Sequence, residues 1–216
     1  MRTVYGVSAS PFVRKVRVVL AEKKLDYQLE PVFPGPQAPP DWRKLSPLGK
    51  VPAFRDGDRT LADSSVIAAY LERVAPEPPL FPNDPYHYAR ALWFEEYADG
   101  GLVAVFGAKI FFPRVIGPKF FNQPTDEAAV TKTIETEVPP LLDYLEEQLA
   151  GDFLVGGHLT IGDIAVVSQF VNLRYAGIGV DAGRWPKLAA YVGRVMSRPS
   201  FATLVKEEMA TYGFGQ

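Results

Sequence analysis

The sequence predicts an α/β layered unit followed by an all-α unit. Three observations carry this reading. Before residue 75 the hydrophobic pattern alternates between short strand-like runs and helical spacing, whereas after residue 85 it is helical almost throughout. Between them "APEPPLFPNDP", residues 75 to 85, holds five prolines in eleven residues, which favours an extended connector and forbids a continuous helix. The expected organisation is residues 1–75, a linker over 76–85, and residues 86–216.

In the first part, Thr3 to Val7 reads as a short strand. Phe12, Val13, Val16, Val19 and Leu20 then recur at helical spacing, with Arg14, Lys15, Arg17, Lys23 and Lys24 between them. Ser10 followed by Pro11 has the form of an N-cap with proline at the first helical position. Tyr27 to Val32 is a second strand, and "PPDWRKLSPLG" a loop with one helical turn. In "VPAFRDGDRTLAD" the pair Asp56-Gly57 between apolar segments signals a hairpin. Ser64 to Val74 returns to helix, giving the order β-α-β-(α)-β-β-α.

In the second part, Tyr86 to Phe112 is a long aromatic helix. "TDEAAVTKTIETEVPPLLDYLEEQLAG" is amphipathic with a kink at Pro139-Pro140, and the last helical region, Trp185 to Tyr212, is interrupted at Pro199. Between them Thr160 and Asp163 form a capping box, with Leu159 and Ile164 as its hydrophobic staple. "FFPRVIGPKFF" is too proline-broken to read as interior helix and is expected as a loop rich in exposed phenylalanine.

Composition excludes several kinds of chemistry. The chain has 216 residues, 47% hydrophobic, and no cysteine, so disulfides, thiolate metal sites and a cysteine nucleophile borne by the protein are ruled out. Only His87 and His158 are present, which leaves little material for a histidine metal site or a Ser/His/Asp triad. Net charge is −2, and neither part has the basic excess of a nucleic-acid binder. The N-terminus lacks a long apolar signal, and no run is read as approaching the ~20 apolar residues of a membrane span. A cytoplasmic protein without nucleic-acid or membrane partners is the expectation.

Taken together, the βαβ-ββα pattern with "GKVPAF" and "LADSSVIAAYL", the proline-rich linker, the helical half and the "TIGD" box resemble the cytosolic glutathione transferases, of a serine-type, bacterial-like class. The resemblance spans essentially the whole chain. It implies a thioredoxin-like N-terminal domain that binds glutathione as co-substrate, an all-α C-terminal domain carrying the electrophile pocket, no metal, and a homodimer. It also implies a cis Val51-Pro52 bond, so that the Val51 backbone pairs with the cysteinyl part of glutathione, and a place for Lys50 near the glycyl carboxylate. Asp63 and Ser64, where the hairpin gives way to a helix, are then the pair that holds the γ-glutamyl ammonium and carboxylate, a reading the N–H groups of a helix start support.

In such proteins the turn after the first strand carries the group that ionises the glutathione thiol. Ser10 is the first candidate, Ser8 the alternative, and Tyr5 a remoter one. The Ser-Ser-Cys of isomerase-type members is absent from this turn, and the lack of cysteine argues against thiol transfer. Residues 86–121 hold 10 of the 27 aromatics. From these and the first helix, Phe12, Tyr97, Phe111, Phe112 and Arg114 are the candidate electrophile-pocket residues. Conjugation is the first reading. Peroxide reduction or isomerisation at the same site, and a non-catalytic partner-binding protein of the same fold, remain alternatives.

Overall fold

The computed structural model describes residues 1–214, and the chain divides into two compact units, Met1–Pro82 and a second that begins at Asn83.

The first unit is built on a four-stranded sheet of β1 (Arg2–Tyr5), β2 (Gln28–Glu30), β3 (Ala53–Asp56) and β4 (Arg59–Ala62), in the order β2-β1-β3-β4. β1 pairs parallel with β2 across helix α1 (Pro11–Glu22), and antiparallel with β3. Gly57, at φ 59°, supplies the left-handed turn that returns β3 as β4, pairing Asp56 with Arg59. Alternation along the strands sends side chains to two faces. Tyr5 and Ala53 meet Val32 and Trp42 on one, where Trp42 belongs to the single-turn helix α2 (Trp42–Leu45). On the other, Phe54 meets Tyr70 of α3 (Ser64–Val74), and α1 lies alongside α3.

The basic residues of α1 are not a solvated face. Arg14, Lys15, Arg17 and Lys23 are all buried. Arg17 donates to the Tyr27 hydroxyl at 2.7 Å, and Lys23 pairs with Glu72 at 2.7 Å while donating to the carbonyls of Ala75 and Pro78. A buried ammonium is tolerated only when paired and fully hydrogen-bonded, so Lys23 fastens the start of the proline-rich segment to α1 and α3.

The second unit opens with α4 (Pro85–Glu96), capped by Asp84, whose carboxylate accepts from the His87 N–H at 2.9 Å. The helix does not stop where the sequence suggested. It continues as a π-wound segment, Tyr97–Ile116, and runs directly into α5 (Gly117–Phe121), so "FFPRVIGPKFF" is helical rather than a loop. The wider winding, in which the Gly117 N–H reaches the Phe112 carbonyl, carries Pro113 inside the helix. The phenylalanine exposure expected there is partly present: Phe112, Phe120 and Phe121 are exposed, but Phe111 is buried.

The stretch Pro85–Phe121 is also long and apolar enough to cross a bilayer, with a mean hydropathy of 1.4 in its most apolar window, contrary to the sequence expectation. One stripe of it, Ala91, Phe94, Ala98, Leu102, Phe106 and Ile110, is instead buried in this unit. It packs on α8 (Ile161–Tyr175), the central helix, where Phe106 meets Phe170 edge to face. The two helices approach so closely that a Cβ on Gly162 would lie 2.8 Å from the Ala91 carbonyl and from Phe94 Cβ.

Between them in sequence come α6 (Glu127–Thr136) and α7 (Val138–Gln148), the break falling just before Pro139-Pro140. α9 (Pro186–Met196) and α10 (Pro199–Tyr212) complete the unit. The start of α8 is held by Asp163, wholly buried, which accepts from the backbone N–H of Thr160 and Leu154, the Thr160 hydroxyl and the Tyr191 hydroxyl, all within 3.0 Å. Burial pushes the Asp163 carboxyl above its ordinary value, and these hydrogen bonds oppose that shift. Burial, and then the facing Asp163 carboxylate, push the Tyr191 hydroxyl up in turn.

Candidate functional site

Three segments of the first unit converge at one end of its sheet. The first is the turn from β1 into α1. Gly6 leaves β1 at φ 148°, and a Cβ there would stand 2.6 Å from Val13 Cγ2 and 3.1 Å from Val51 Cβ. The backbone therefore passes close against both α1 and the second segment. Ser10 N–H closes the turn on the Val7 carbonyl at 3.0 Å, and the Ser10 hydroxyl accepts from the Val13 N–H at 3.5 Å. The hydroxyl accepts in that contact, so its own proton is available to a second acceptor. Ser10 is partly exposed and Ser8 is only 4% exposed.

The second segment leads into β3. The Val51-Pro52 peptide is cis. Val51 stands just outside the ladder, whose pairing begins at Ala53 opposite Tyr5 and Ala62. Lys50 is exposed, and its carbonyl accepts from the Ser46 hydroxyl at 2.7 Å.

The third is the start of α3. Asp63 adopts φ 81°, a sparsely populated conformation for a non-glycine residue. Its N–H approaches the Pro52 carbonyl at 3.4 Å, which ties this segment to the second. Its carboxylate accepts from the N–H groups of Ser65 and Val66 at 2.9 and 3.2 Å, so Asp63 caps the helix. Ser64, the first helical residue, takes no part in capping. It is only 3% exposed, and because Asp63 takes the N–H groups of Ser65, Val66 and Ile67, what this helix start offers a carboxylate is the positive end of its dipole. One contributor was missed from the sequence: Lys15, fully buried, donates to the Ser65 hydroxyl at 3.1 Å and so brings a positive charge to the first turn of α3. Within α1 nothing distinguished it from its basic neighbours, because its partner lies fifty residues on.

Of the remaining candidates, Phe12 is partly buried in the first turn of α1. The others lie in the second unit and form two separate clusters. Tyr97 stacks near Tyr144 at 4.9 Å and Trp93 at 6.1 Å, and donates to the Leu141 carbonyl at 3.2 Å. Burial, and then Tyr144, push its hydroxyl up to about 12, so Tyr97 stays protonated at neutral pH and is no base. Phe111 belongs instead with Tyr175 and Phe214, while exposed Phe112 faces Phe121. Arg114 is engaged, pairing with Glu127 at 2.6 Å and donating to the Ala176 carbonyl at 3.2 Å. No cluster of metal-ligating side chains occurs among the described residues.

Residues 4–79 match the family described as "Glutathione S-transferase, N-terminal domain", and residues 114–208 match "Glutathione S-transferase, C-terminal domain". Glutathione S-transferase Z2 of Arabidopsis thaliana is 28% identical over 207 residues, covering 95% of this chain and 91% of its own. A probable maleylacetoacetate isomerase 1 of Drosophila melanogaster is 30% identical over 165 residues, covering 74% and 64% respectively. Among solved structures, a glutathione S-transferase from Rhodospirillum rubrum superposes with a TM-score of 0.84 at 27% identity, covering 94% of this chain and 91% of its own.

Proposed function

This chain belongs to the glutathione S-transferase family, and on that footing we propose that it activates the thiol of glutathione through Ser10 and delivers the thiolate to an apolar electrophile. The observation that carries this reading is the meeting of the Ser10 turn, the cis Val51-Pro52 bond and the Asp63–Ser64 helix start at one end of a single sheet. Each suits one part of a γ-glutamyl tripeptide. The Val51 backbone, unpaired by the ladder, offers an antiparallel partner to the cysteinyl residue. The α3 N-terminus, with Ser64 and the positive charge of Lys15 nearby, receives the γ-glutamyl carboxylate, while Asp63 faces the ammonium. Lys50 lies toward the glycyl carboxylate.

The Ser10 hydroxyl, which only accepts in its contact with the Val13 N–H, is placed ahead of Ser8 as the thiol's donor. Glutathione is the co-substrate and no metal takes part. Residues 1–75 form the glutathione-binding domain, 76–85 the linker, and 86–216 the helical domain that carries the electrophile pocket, for which Phe112 offers an exposed aromatic side chain. The protein acts as a cytoplasmic homodimer. Calorimetric titration with glutathione tests the site: binding by the wild-type chain and its loss in Ser64→Ala is the expected result, and absence of binding to the wild type overturns the reading.

A second reading has its own support in the Drosophila relative, whose name is that of an isomerase. Isomerisation returns the thiol whereas conjugation consumes it. A fall in free thiol matching product formed identifies the transferase, and turnover at constant thiol identifies the isomerase.

A further inference from the structure

Tyr97, where the π-wound segment begins, and Tyr144 of α7 hold their rings 4.9 Å apart between centroids, with 44° between their planes. That separation lies near the close limit of the ~4.5–7 Å range of aromatic pairs. Both rings are pinned by contacts that cross between the same two helices. The Tyr97 hydroxyl donates to the Leu141 carbonyl of α7 at 3.2 Å, and the Tyr144 oxygen accepts from the Trp93 indole N–H of α4 at 2.6 Å. Tyr144 accepts in that contact, so its own proton is not committed by it. Both tyrosines are half-buried, within reach of a small solute yet packed one against the other. Phenols, indoles and thiols are the side chains that give up single electrons most readily, and this chain has no cysteine to serve as that donor. A phenol that loses an electron and a proton becomes a phenoxyl radical, whose unpaired spin is shared with the ring carbons ortho to the oxygen. Two such radicals already in contact couple far faster than two that must meet by diffusion.

We propose that Tyr97 and Tyr144 form a site of oxidative cross-linking, at which a one-electron oxidant joins the two rings by a carbon–carbon bond. Two equivalents of oxidant are reduced as each phenol gives up one electron, and both hydroxyl protons pass to water. A bond forms between the facing ortho carbons, and the hydrogen on each of those carbons then moves to the adjacent oxygen, restoring two phenols. The product has lost two hydrogen atoms and gained none. It ties α7 covalently to the helix that begins at Pro85, in a chain that can form no disulfide. The site lies wholly within the helical unit and does not depend on the glutathione reading.

Irradiating the full chain with tris(bipyridyl)ruthenium(II) and persulfate, which generates a one-electron oxidant in solution, tests the proposal. The wild type is expected to give a monomeric product lighter by two hydrogen atoms, with the fluorescence of dityrosine. Its protease digest should contain a peptide pair joined through Tyr97 and Tyr144. Tyr97→Phe and Tyr144→Phe should each lower the fluorescence of the monomer about tenfold, because only chance encounters of other tyrosines then remain. Tyr86→Phe, at a tyrosine 70% exposed, should leave it unchanged. Wild type oxidised in concentrated urea should lose the joined peptide pair, since the rings are no longer held together. Circular dichroism checks each variant, and if one does not fold, the other variant and the wild-type peptide map decide the matter. No joined pair from the folded wild type, or monomer fluorescence equal to wild type in both folded phenylalanine variants, overturns the proposal.

Discussion

Replacing Ser10 by alanine separates two roles that one hydroxyl holds. As the cap of α1 its acceptor contact with the Val13 N–H is 3.5 Å, the long limit of a hydrogen bond. Loss of the cap therefore belongs at the low end of the usual range, about 0.5–1 kcal/mol, and the variant remains folded. As donor to a thiolate the same hydroxyl contributes more. A hydrogen bond to a charged group is worth about 1.5–3 kcal/mol, and the α1 N-terminus adds roughly 0.3–1 kcal/mol that alanine leaves in place. At 1.36 kcal/mol per pKa unit, Ser10→Ala should raise the pKa of the bound thiol by about 1–2 units. A free thiol of pKa ~8.5 is only about 3% ionised at pH 7, so that shift removes most of the reactive form. Ultraviolet absorbance of the bound thiolate followed across pH measures it without any choice of electrophile. If Ser10→Ala binds glutathione and the thiol titrates as in the wild type, the hydroxyl is a cap alone and the argument fails.

Three further outcomes follow from other parts of the molecule. Lys15→Met, which removes the ammonium 3.1 Å from the Ser65 hydroxyl, should weaken glutathione binding several-fold while leaving the pKa of the bound thiol unchanged; an unaltered dissociation constant in calorimetry refutes the role given to Lys15. Asp163→Ala leaves the N–H groups of Leu154 and Thr160 and the hydroxyl of Tyr191 without their acceptor, and should cost about 3–5 kcal/mol in denaturant unfolding. Tyr97 is held protonated in the folded state up to about 12, against 10 when exposed, so its contribution to stability is fully present below pH 10 and is lost as pH rises toward 12. Tyr97→Phe should therefore reduce the alkaline loss of stability in thermal unfolding, and an unchanged alkaline slope counts against the assignment.

Much of the fold is legible in the sequence because its signals are local. Asp56-Gly57 turns the hairpin through a glycine at φ 59°, Pro139-Pro140 lie in the first turn of α7 just after a helix break, and Thr160 with Asp163 opens α8. In each case the residues that interact lie within a few positions of one another. The helical continuation through "FFPRVIGPKFF" was not legible by that means. Two prolines argue for a loop when propensity is judged locally, but the helix is kept by a buried stripe facing α8 and by a wider winding that takes Pro113 into its course.

The candidate site divides in the same way. Sequence alone determined which residues could serve: a serine before proline at a helix start, a Val-Pro before a strand, an Asp-Ser before a helix, and no cysteine to act in their place. Tertiary structure decided that they meet, because the pairing of Tyr5 with Ala53 and of Ala53 with Ala62 sets three turns beside one another. It decided equally that the basic side chains of α1 are interior groups. Lys15, Arg17 and Lys23 find Ser65, Tyr27 and Glu72, partners that no periodicity within the helix reveals. A charge leaves water only where compensating groups are already arranged, and that arrangement exists only once distant segments have packed.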